Sequence, residues 1–141
     1  MHIAISKRPN NVDVDSITLD DEEEEESCAV QDSTEIIQLE HHIVYSTSFQ
    51  VPVLYFRVSF SDGTPLSHQE IFQFVIPNDY HDANITQNEH PILGKPCWYI
   101  HPCNTRGLME TMAFDQLDYI KAWLSVYGPI AKYNIPNSMF Q

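Results

Sequence analysis

A histidine and a cysteine separated by one proline, His101-Pro102-Cys103, are the residues of this chain best suited to covalent chemistry. The cysteine follows an apolar segment that ends at Ile100, so the pattern predicts a partly exposed thiol in a turn after a strand. A neighbouring imidazole favours the thiolate, which is the nucleophilic form of cysteine. A cysteine at a strand end can also be a small buried hydrophobic side chain. Cys97, inside the apolar segment, is predicted to be such a core residue.

The sequence lacks the spacings of common metal and phosphate sites. Seven histidines and three cysteines include no C-x-x-C or H-E-x-x-H pair, and structural zinc sites usually draw their ligands from close pairs. His41 and His42 are adjacent and would point to opposite sides of a strand. The four glycines do not form a phosphate-binding loop. The sequence therefore predicts neither a metal nor a cofactor.

The charge of the chain is strongly acidic and unevenly placed. Twenty Asp and Glu face seven Lys and Arg, for a net charge of −13, which argues against binding to nucleic acid or anionic lipid. Twelve of the acidic residues lie within residues 1–40, and residues 20–26 are all acidic. Such a run repels itself and stays solvated. We therefore predict an acidic, disordered tail over residues 1–34, or alternatively a docking surface for a basic partner, followed by one domain over residues 35–141.

Cysteine number and hydropathy indicate the compartment. Three cysteines cannot form a disulfide framework. No apolar run approaches the roughly 20 residues needed to span a bilayer, and residues 1–11 do not resemble a signal peptide. These features predict a cytoplasmic protein without membrane insertion, because thiols stay free in the reducing cytosol.

Local patterns predict an α+β fold in which an antiparallel sheet is covered by helices on one face. A Ser67/Glu70 capping box predicts a short helix that ends before Pro77. Pro52 is expected in a turn or at a strand start. The other predicted elements are a short entry helix over residues 33–42, strands over residues 42–49, 53–60 and 92–100, a polar loop over residues 77–91, and a closing amphipathic helix over residues 114–127.

Five segments of the chain resemble the E2-like conjugating enzymes of autophagy. The tripeptide His101-Pro102-Cys103 alone would be a weak signal, but the other segments occur in the same order around it. The resemblance covers about residues 40–136. The segments are residues 42–60 (HIVYSTSFQVPVLYFRVSF), 62–66 (DGTPL), 85–91 (ITQNEHP), 101–105 (HPCNT) and 119–136 (YIKAWLSVYGPIAKYNIP).

This resemblance implies an E2-like, or UBC-like, fold and a specific reaction. It implies that Cys103 accepts a ubiquitin-like protein, autophagy-related protein 12, as a thioester from the E1-like autophagy-related protein 7. The acyl group would then pass to a lysine of autophagy-related protein 5. The implied setting is autophagosome formation, with its associated protein transport, in the cytoplasm.

Three further residues are candidates for supporting Cys103. Ubiquitin E2 enzymes carry an Asn in a His-Pro-Asn motif several residues before the cysteine, and here the His-Pro is followed directly by Cys103. His101 could orient the thiol or accept its proton, or could only stabilise the turn. Tyr45 matches a tyrosine of the family's first strand, and could direct its hydroxyl toward Cys103 or only pack. Asn104 is a weaker candidate.

Two alternative functions remain open from the sequence. A non-catalytic binding module could pair an extended partner segment with a sheet edge near residues 53–60. A cysteine hydrolase would need a histidine such as His81 or His90 beside Cys103 and an orienting Asp or Asn. Tolerance of Cys103→Ala would distinguish the binding module from an enzyme.

Overall fold

The computed structural model describes residues 1–6, 34–112, 115 and 118–140. Most of the predicted acidic tail, including residues 20–26, lies outside the described residues. So do two apolar positions of the predicted closing helix, Phe114 and Leu117. The described elements are β1 (His2–Ser6), β2 (Thr34–Ser46), β3 (Val51–Phe60), α1 (His68–Phe74), β4 (Ile85–Glu89), β5 (Pro96–Ile100), α2 (Thr105–Thr111) and α3 (Tyr119–Tyr127).

The strands form one five-stranded antiparallel sheet in the order β1-β2-β3-β5-β4. β2 and β3 make a long hairpin in which Ile37 lies opposite Phe60 and Ser46 opposite Val51. Pro52 is the second residue of β3, as predicted for a residue at a strand start. The α+β class and the antiparallel sheet are confirmed.

One face of the sheet carries the core. Leu54, Phe56 and Val58 alternate along β3 and are at most 4 % exposed. They belong to the same buried cluster as Ile71 of α1 and Trp123 of α3. The helices therefore cover the apolar face that the alternation in β3 predicts. The predicted capping box begins α1, because the Ser67 hydroxyl accepts from the Glu70 amide and the Glu70 carboxylate accepts from the Ser67 amide.

Two predictions for the N-terminal part of the chain are wrong. The predicted helix over residues 33–42 is instead the first part of β2. Ile37 and Leu39 are buried while Ile36 is 48 % exposed, so the apolar residues follow the two-residue period of a strand. Residues 2–6, which we assigned to the tail, form β1 and pair with β2 from Gln38 back to Thr34. β1 pairs with residues 34–38 of β2 and β3 pairs with residues 37–46, so every residue of β2 has a strand partner.

The region after α1 also differs from the prediction. The predicted loop over residues 77–91 contains β4, all five residues of which pair with β5. The predicted strand over residues 92–100 begins only at Pro96, because the preceding residues form the β4–β5 turn. α2, which was not predicted, follows the cysteine. β3 lies between β2 and β5, so residues 53–60 are not the sheet edge proposed for partner binding. Among the described strands, the edges are β1 and β4.

The side chain of His90, at the start of the β4–β5 turn, is hydrogen-bonded to His42 of β2. The His90 side chain is 3 % exposed, and its Nδ1 accepts from the amides of Ile92 and Leu93 at 3.2 and 3.1 Å. The proton of the neutral ring is therefore on Nε2, which donates to Nδ1 of His42 at 3.1 Å. His42 Nε2 in turn lies 3.4 Å from a carboxylate oxygen of Glu40. The turn is held by a chain of hydrogen bonds through a neutral His90.

Mild acid is expected to destabilise the fold through His90. Burial lowers the pKa of His90 below 6.5, His42 acts in the same direction, and Glu40 opposes them. The unfolded chain then binds a proton more readily than the folded chain, so stability is fully present above 6.5 and is lost as the pH falls toward the lowered pKa. We expect the thermal unfolding midpoint to fall by a few degrees between about pH 7.5 and about pH 5.5.

Circular dichroism melts of His90→Gln would test this prediction, since glutamine can still accept a hydrogen bond but does not titrate. The variant should show a weaker pH dependence than the wild type. Burial also lowers the pKa of His41, so part of the dependence should remain. The exposed His68→Gln is the matched control and should keep the full dependence. Equal slopes in His90→Gln and the wild type would contradict the assignment.

Candidate functional site

Cys103 lies in a short 3₁₀ turn, Pro102–Asn104, between the end of β5 and the start of α2. Pro102 begins the turn, a position that suits its fixed φ and its missing N–H. Pro102 and Thr105 are buried, while Cys103 and Asn104 between them are exposed. The two buried residues anchor the turn and leave the thiol open to solvent. This confirms the prediction of an exposed thiol after a strand. Cys97 is 1 % exposed, as predicted for a core residue.

His101 caps the turn with its side chain. Its Nδ1 accepts a hydrogen bond from the Cys103 amide at 3.1 Å, and its own amide donates to the carbonyl oxygen of Asn84 at 2.8 Å. Because Nδ1 is an acceptor, the neutral ring carries its proton on Nε2. The turn-stabilising hydrogen bond considered above is therefore present. The described contact between His101 and Cys103 therefore joins the imidazole to the backbone amide of the cysteine.

Tyr45 lies near the end of β2, where it is 61 % exposed and faces Pro52. Among the described contacts, no hydrogen bond joins its hydroxyl to Cys103 or His101. Tyr45 instead interacts electrostatically with Tyr119 of α3. Burial raises the pKa of the Tyr119 phenol, and the neighbouring phenols of Tyr127 and Tyr45 act in the same direction. Tyr45 is the second-last residue of β2, two residues before the turn at residues 47–50.

Sequence reasoning missed the contribution of the β2–β3 turn, residues 47–50. The Phe49 ring packs edge-on against the His101 ring at 5.5 Å. Gln50 Oε1 accepts from Arg106 Nη2 at 2.5 Å. These residues are more than fifty positions from the cysteine, and the local sequence contains no signal for such a contact.

The family model described as autophagocytosis associated protein, active-site domain, matches residues 2–138. The chain belongs to this active-site domain family. The match begins in β1 and includes the turn that carries Cys103, so the family's active-site domain covers nearly every described element.

Named relatives of the active-site domain agree with the family model. The human ubiquitin-like-conjugating enzyme ATG10 is 40 % identical over 139 residues, covering 86 % of this chain and 60 % of that protein. The protein of the same name from Dictyostelium discoideum is 39 % identical over 123 residues, covering 72 % and 53 %. Autophagy-related protein 3 of Candida glabrata is 33 % identical over 81 residues, covering 56 % and 26 %. The resemblance to the E2-like conjugating enzymes of autophagy is confirmed, and the named relatives include autophagy-related protein 10. The chain spans only slightly more than half the length of these ATG10 proteins.

Other histidines of the active-site domain are engaged away from Cys103. His81 Nε2 lies 3.0 Å from the carbonyl oxygen of Phe72 and 3.2 Å from that of Ile76, and His90 is bound in the β4–β5 turn. Neither contacts Cys103 among the described interactions, so the arrangement of a cysteine hydrolase is not formed there. Within the described part of the chain no three His, Cys, Asp or Glu side chains group as metal ligands. No helix in that part is long and apolar enough to cross a membrane.

Proposed function

We propose that this active-site domain accepts a ubiquitin-like protein as a thioester on Cys103 and transfers it to a lysine of a protein substrate during autophagy. The observation that carries the proposal is the exposed thiol of Cys103 in a turn anchored by buried neighbours, within a domain whose relatives are named ubiquitin-like-conjugating enzymes. By resemblance, the ubiquitin-like protein is autophagy-related protein 12, the E1-like enzyme is autophagy-related protein 7 and the substrate is autophagy-related protein 5. The proposed compartment is the cytoplasm.

The reaction consists of two acyl transfers. The Cys103 thiolate attacks the carbonyl carbon of the E1 thioester, the new carbon–sulfur bond forms, and the E1 thiolate leaves. A neutral lysine amine then attacks the same carbon, giving a tetrahedral oxyanion. Collapse of the oxyanion expels the Cys103 thiolate and forms the amide bond, and the amine proton passes to solvent or a base. Exposure of Cys103 suits both steps, because an E1 thioester and a substrate lysine must each reach the sulfur.

A charging experiment tests the proposal. The protein is mixed with the E1-like enzyme, the ubiquitin-like protein and ATP, and the products are separated on a non-reducing gel. We expect a shifted band that disappears with thiol reductant, and a conjugate to the substrate after its addition. Failure to form the shifted band with a visibly charged E1 would contradict the proposal and favour a binding module.

The contribution of His101 can be separated from that of the turn by two substitutions. Asparagine is a good N-cap and can replace the hydrogen bond to the Cys103 amide, whereas alanine cannot. If His101 acts only through this bond, His101→Asn should charge at nearly the wild-type rate and His101→Ala about tenfold more slowly. Rates from quenched time courses provide the measurement. Wild-type charging and discharge by His101→Ala would contradict any role for His101.

Tyr45 is expected to act in discharge of the thioester rather than in folding. Because the side chain is 61 % exposed, Tyr45→Ala should cost less than about 1 kcal/mol of stability. If the hydroxyl donates to the oxyanion, Tyr45→Phe and Tyr45→Ala should both slow transfer to lysine by about a hundredfold. Single-turnover discharge of the preformed thioester measures this effect. A slow Tyr45→Ala with a normal Tyr45→Phe would instead assign packing to the ring.

A further inference from the structure

The β2–β3 turn contacts the chain on both sides of Cys103. On the N-terminal side, Phe49 packs against His101, which lies two residues before the cysteine. On the C-terminal side, Arg106, three residues after the cysteine, binds the same turn. Residues 47–50 therefore reach both ends of the segment that presents the thiol.

Phe49 contributes a ring-to-ring contact. Its ring plane is inclined by 81° to that of His101, with the centroids 5.5 Å apart. Tyr99 contacts the imidazole as well, at 5.9 Å and 46°. Two aromatic rings thus confine the imidazole whose Nδ1 accepts from the Cys103 amide. Phe49 is 41 % exposed and absent from the core cluster, so its main described partner is the histidine.

The Gln50 side chain accepts a hydrogen bond, although its backbone adopts a conformation that is unfavourable for a residue other than glycine. Its φ of +56° is in the left-handed region, which glycine adopts more readily than other residues. A glycine would suit this backbone but would have no side-chain acceptor. Gln50 Oε1 accepts from Arg106 Nη2 at 2.5 Å, and the Phe49 carbonyl oxygen lies 3.5 Å from the same nitrogen. The glutamine side chain is therefore used to bind α2.

We propose that Phe49, Gln50 and Arg106 are positioning residues that hold the cysteine-bearing turn in its observed conformation. Phe49 keeps the His101 imidazole in the orientation that accepts from the Cys103 amide. The Arg106–Gln50 bond keeps the β2–β3 turn, and with it Phe49, against the site. This clamp deepens the proposed function and rests on it, since the clamp matters for conjugation only if Cys103 is the acyl carrier.

Two measurements on the full chain test the clamp. The first is the tautomer of His101, observed by long-range proton–nitrogen NMR at about pH 8, where imidazoles are neutral. The wild type should show a single tautomer protonated on Nε2. Phe49→Leu, Gln50→Gly and Arg106→Gln should each give a mixture of tautomers. The second is E1-dependent charging, which we expect to fall about tenfold in each variant because the thiol is less well positioned.

The chain offers matched controls for these variants. Phe72 contacts His81 with the same geometry as Phe49 and His101, 5.5 Å and 81°, so Phe72→Leu should leave the His101 tautomer unchanged. Arg57 pairs with Glu40 on the sheet, and Arg57→Gln controls for loss of an arginine. Gln50→Gly relieves the left-handed backbone, so its thermal midpoint should be no lower than that of the wild type. Lost charging without lost stability would exclude simple unfolding as the cause.

The two measurements separate failure of the clamp from failure of the proposed function. Unchanged His101 tautomers in all three variants, with normal charging of the wild type, would overturn the clamp and leave the proposed function standing. The same tautomer change in Phe72→Leu would also overturn it, because the effect would not be specific to the site. Altered tautomers in the three variants, with no charging of the wild type, would support the clamp and overturn the proposed function.

Discussion

Cys103→Ala is expected to lower formation of the conjugate by at least about a thousandfold, because the acyl carrier of both transfers is lost. Cys103→Ser should give a shifted band that resists thiol reductant, since an oxygen ester replaces the thioester. Both variants should fold normally because the side chain is exposed. Non-reducing and reducing gels of parallel charging reactions provide the measurement.

Cys97 is the matched control for Cys103. Cys97→Ala should charge and discharge normally, although loss of a buried sulfur is expected to lower stability by about 1 kcal/mol. Normal conjugation by Cys103→Ala would show that the nucleophile lies elsewhere or that the domain is a binding module. In that case β1 or β4, the two edges of the sheet, would be the places at which an extended partner could pair.

Trp123→Ala is expected to lower the free energy of unfolding by about 4 kcal/mol, as is typical when a buried tryptophan is truncated. The Trp123 side chain is 1 % exposed in the core between α3 and the sheet, and its ring stacks on that of Tyr127 at 5.4 Å. A loss of this size is a large fraction of the about 5–15 kcal/mol that stabilises an ordinary domain. Urea denaturation followed by circular dichroism would measure it.

Ile120 provides a control on the same helix. It is 45 % exposed, so Ile120→Ala should change the free energy of unfolding by no more than about 0.5 kcal/mol. Similar losses for Trp123→Ala and Ile120→Ala would contradict the core described here. Charging by Trp123→Ala at low temperature, where the folded state still predominates, should approach that of the wild type because Trp123 is outside the Cys103 turn.

Patterns within a few residues of sequence correctly predict those strands and helices that are specified by residues close to each other in the chain. The alternation of Leu54, Phe56 and Val58 predicts a strand with one buried face, and Ser67 with Glu70 predicts the start of α1. Both are confirmed, because side-chain alternation and helix capping act over only a few residues. The closing helix is confirmed over α3, Tyr119–Tyr127.

Elements that depend on distant partners were mispredicted. Residues 33–42 resemble a helix when Ile36, Ile37 and Leu39 are considered alone, yet β1 pairs with residues 34–38 and β3 pairs with β2 from residue 37 onward. β4 reads Ile-Thr-Gln-Asn-Glu and has little strand character of its own, but β5 pairs with its full length. Backbone hydrogen bonds to a neighbouring strand therefore outweigh weak local preference.

Two features can be read from the sequence without the fold: the reactive groups that are adjacent in the chain and, from five ordered segments, the resemblance to the family. His101, Pro102 and Cys103 are adjacent in the chain, so their types and order already specify a proline-containing turn with a thiol beside an imidazole. The main-chain and side-chain groups that surround that turn depend instead on how the strands and helices pack. Phe49 meets His101 and Gln50 meets Arg106 because the β2–β3 hairpin ends beside α2. Contacts between residues more than fifty positions apart depend on the packing of whole elements, which no local pattern encodes.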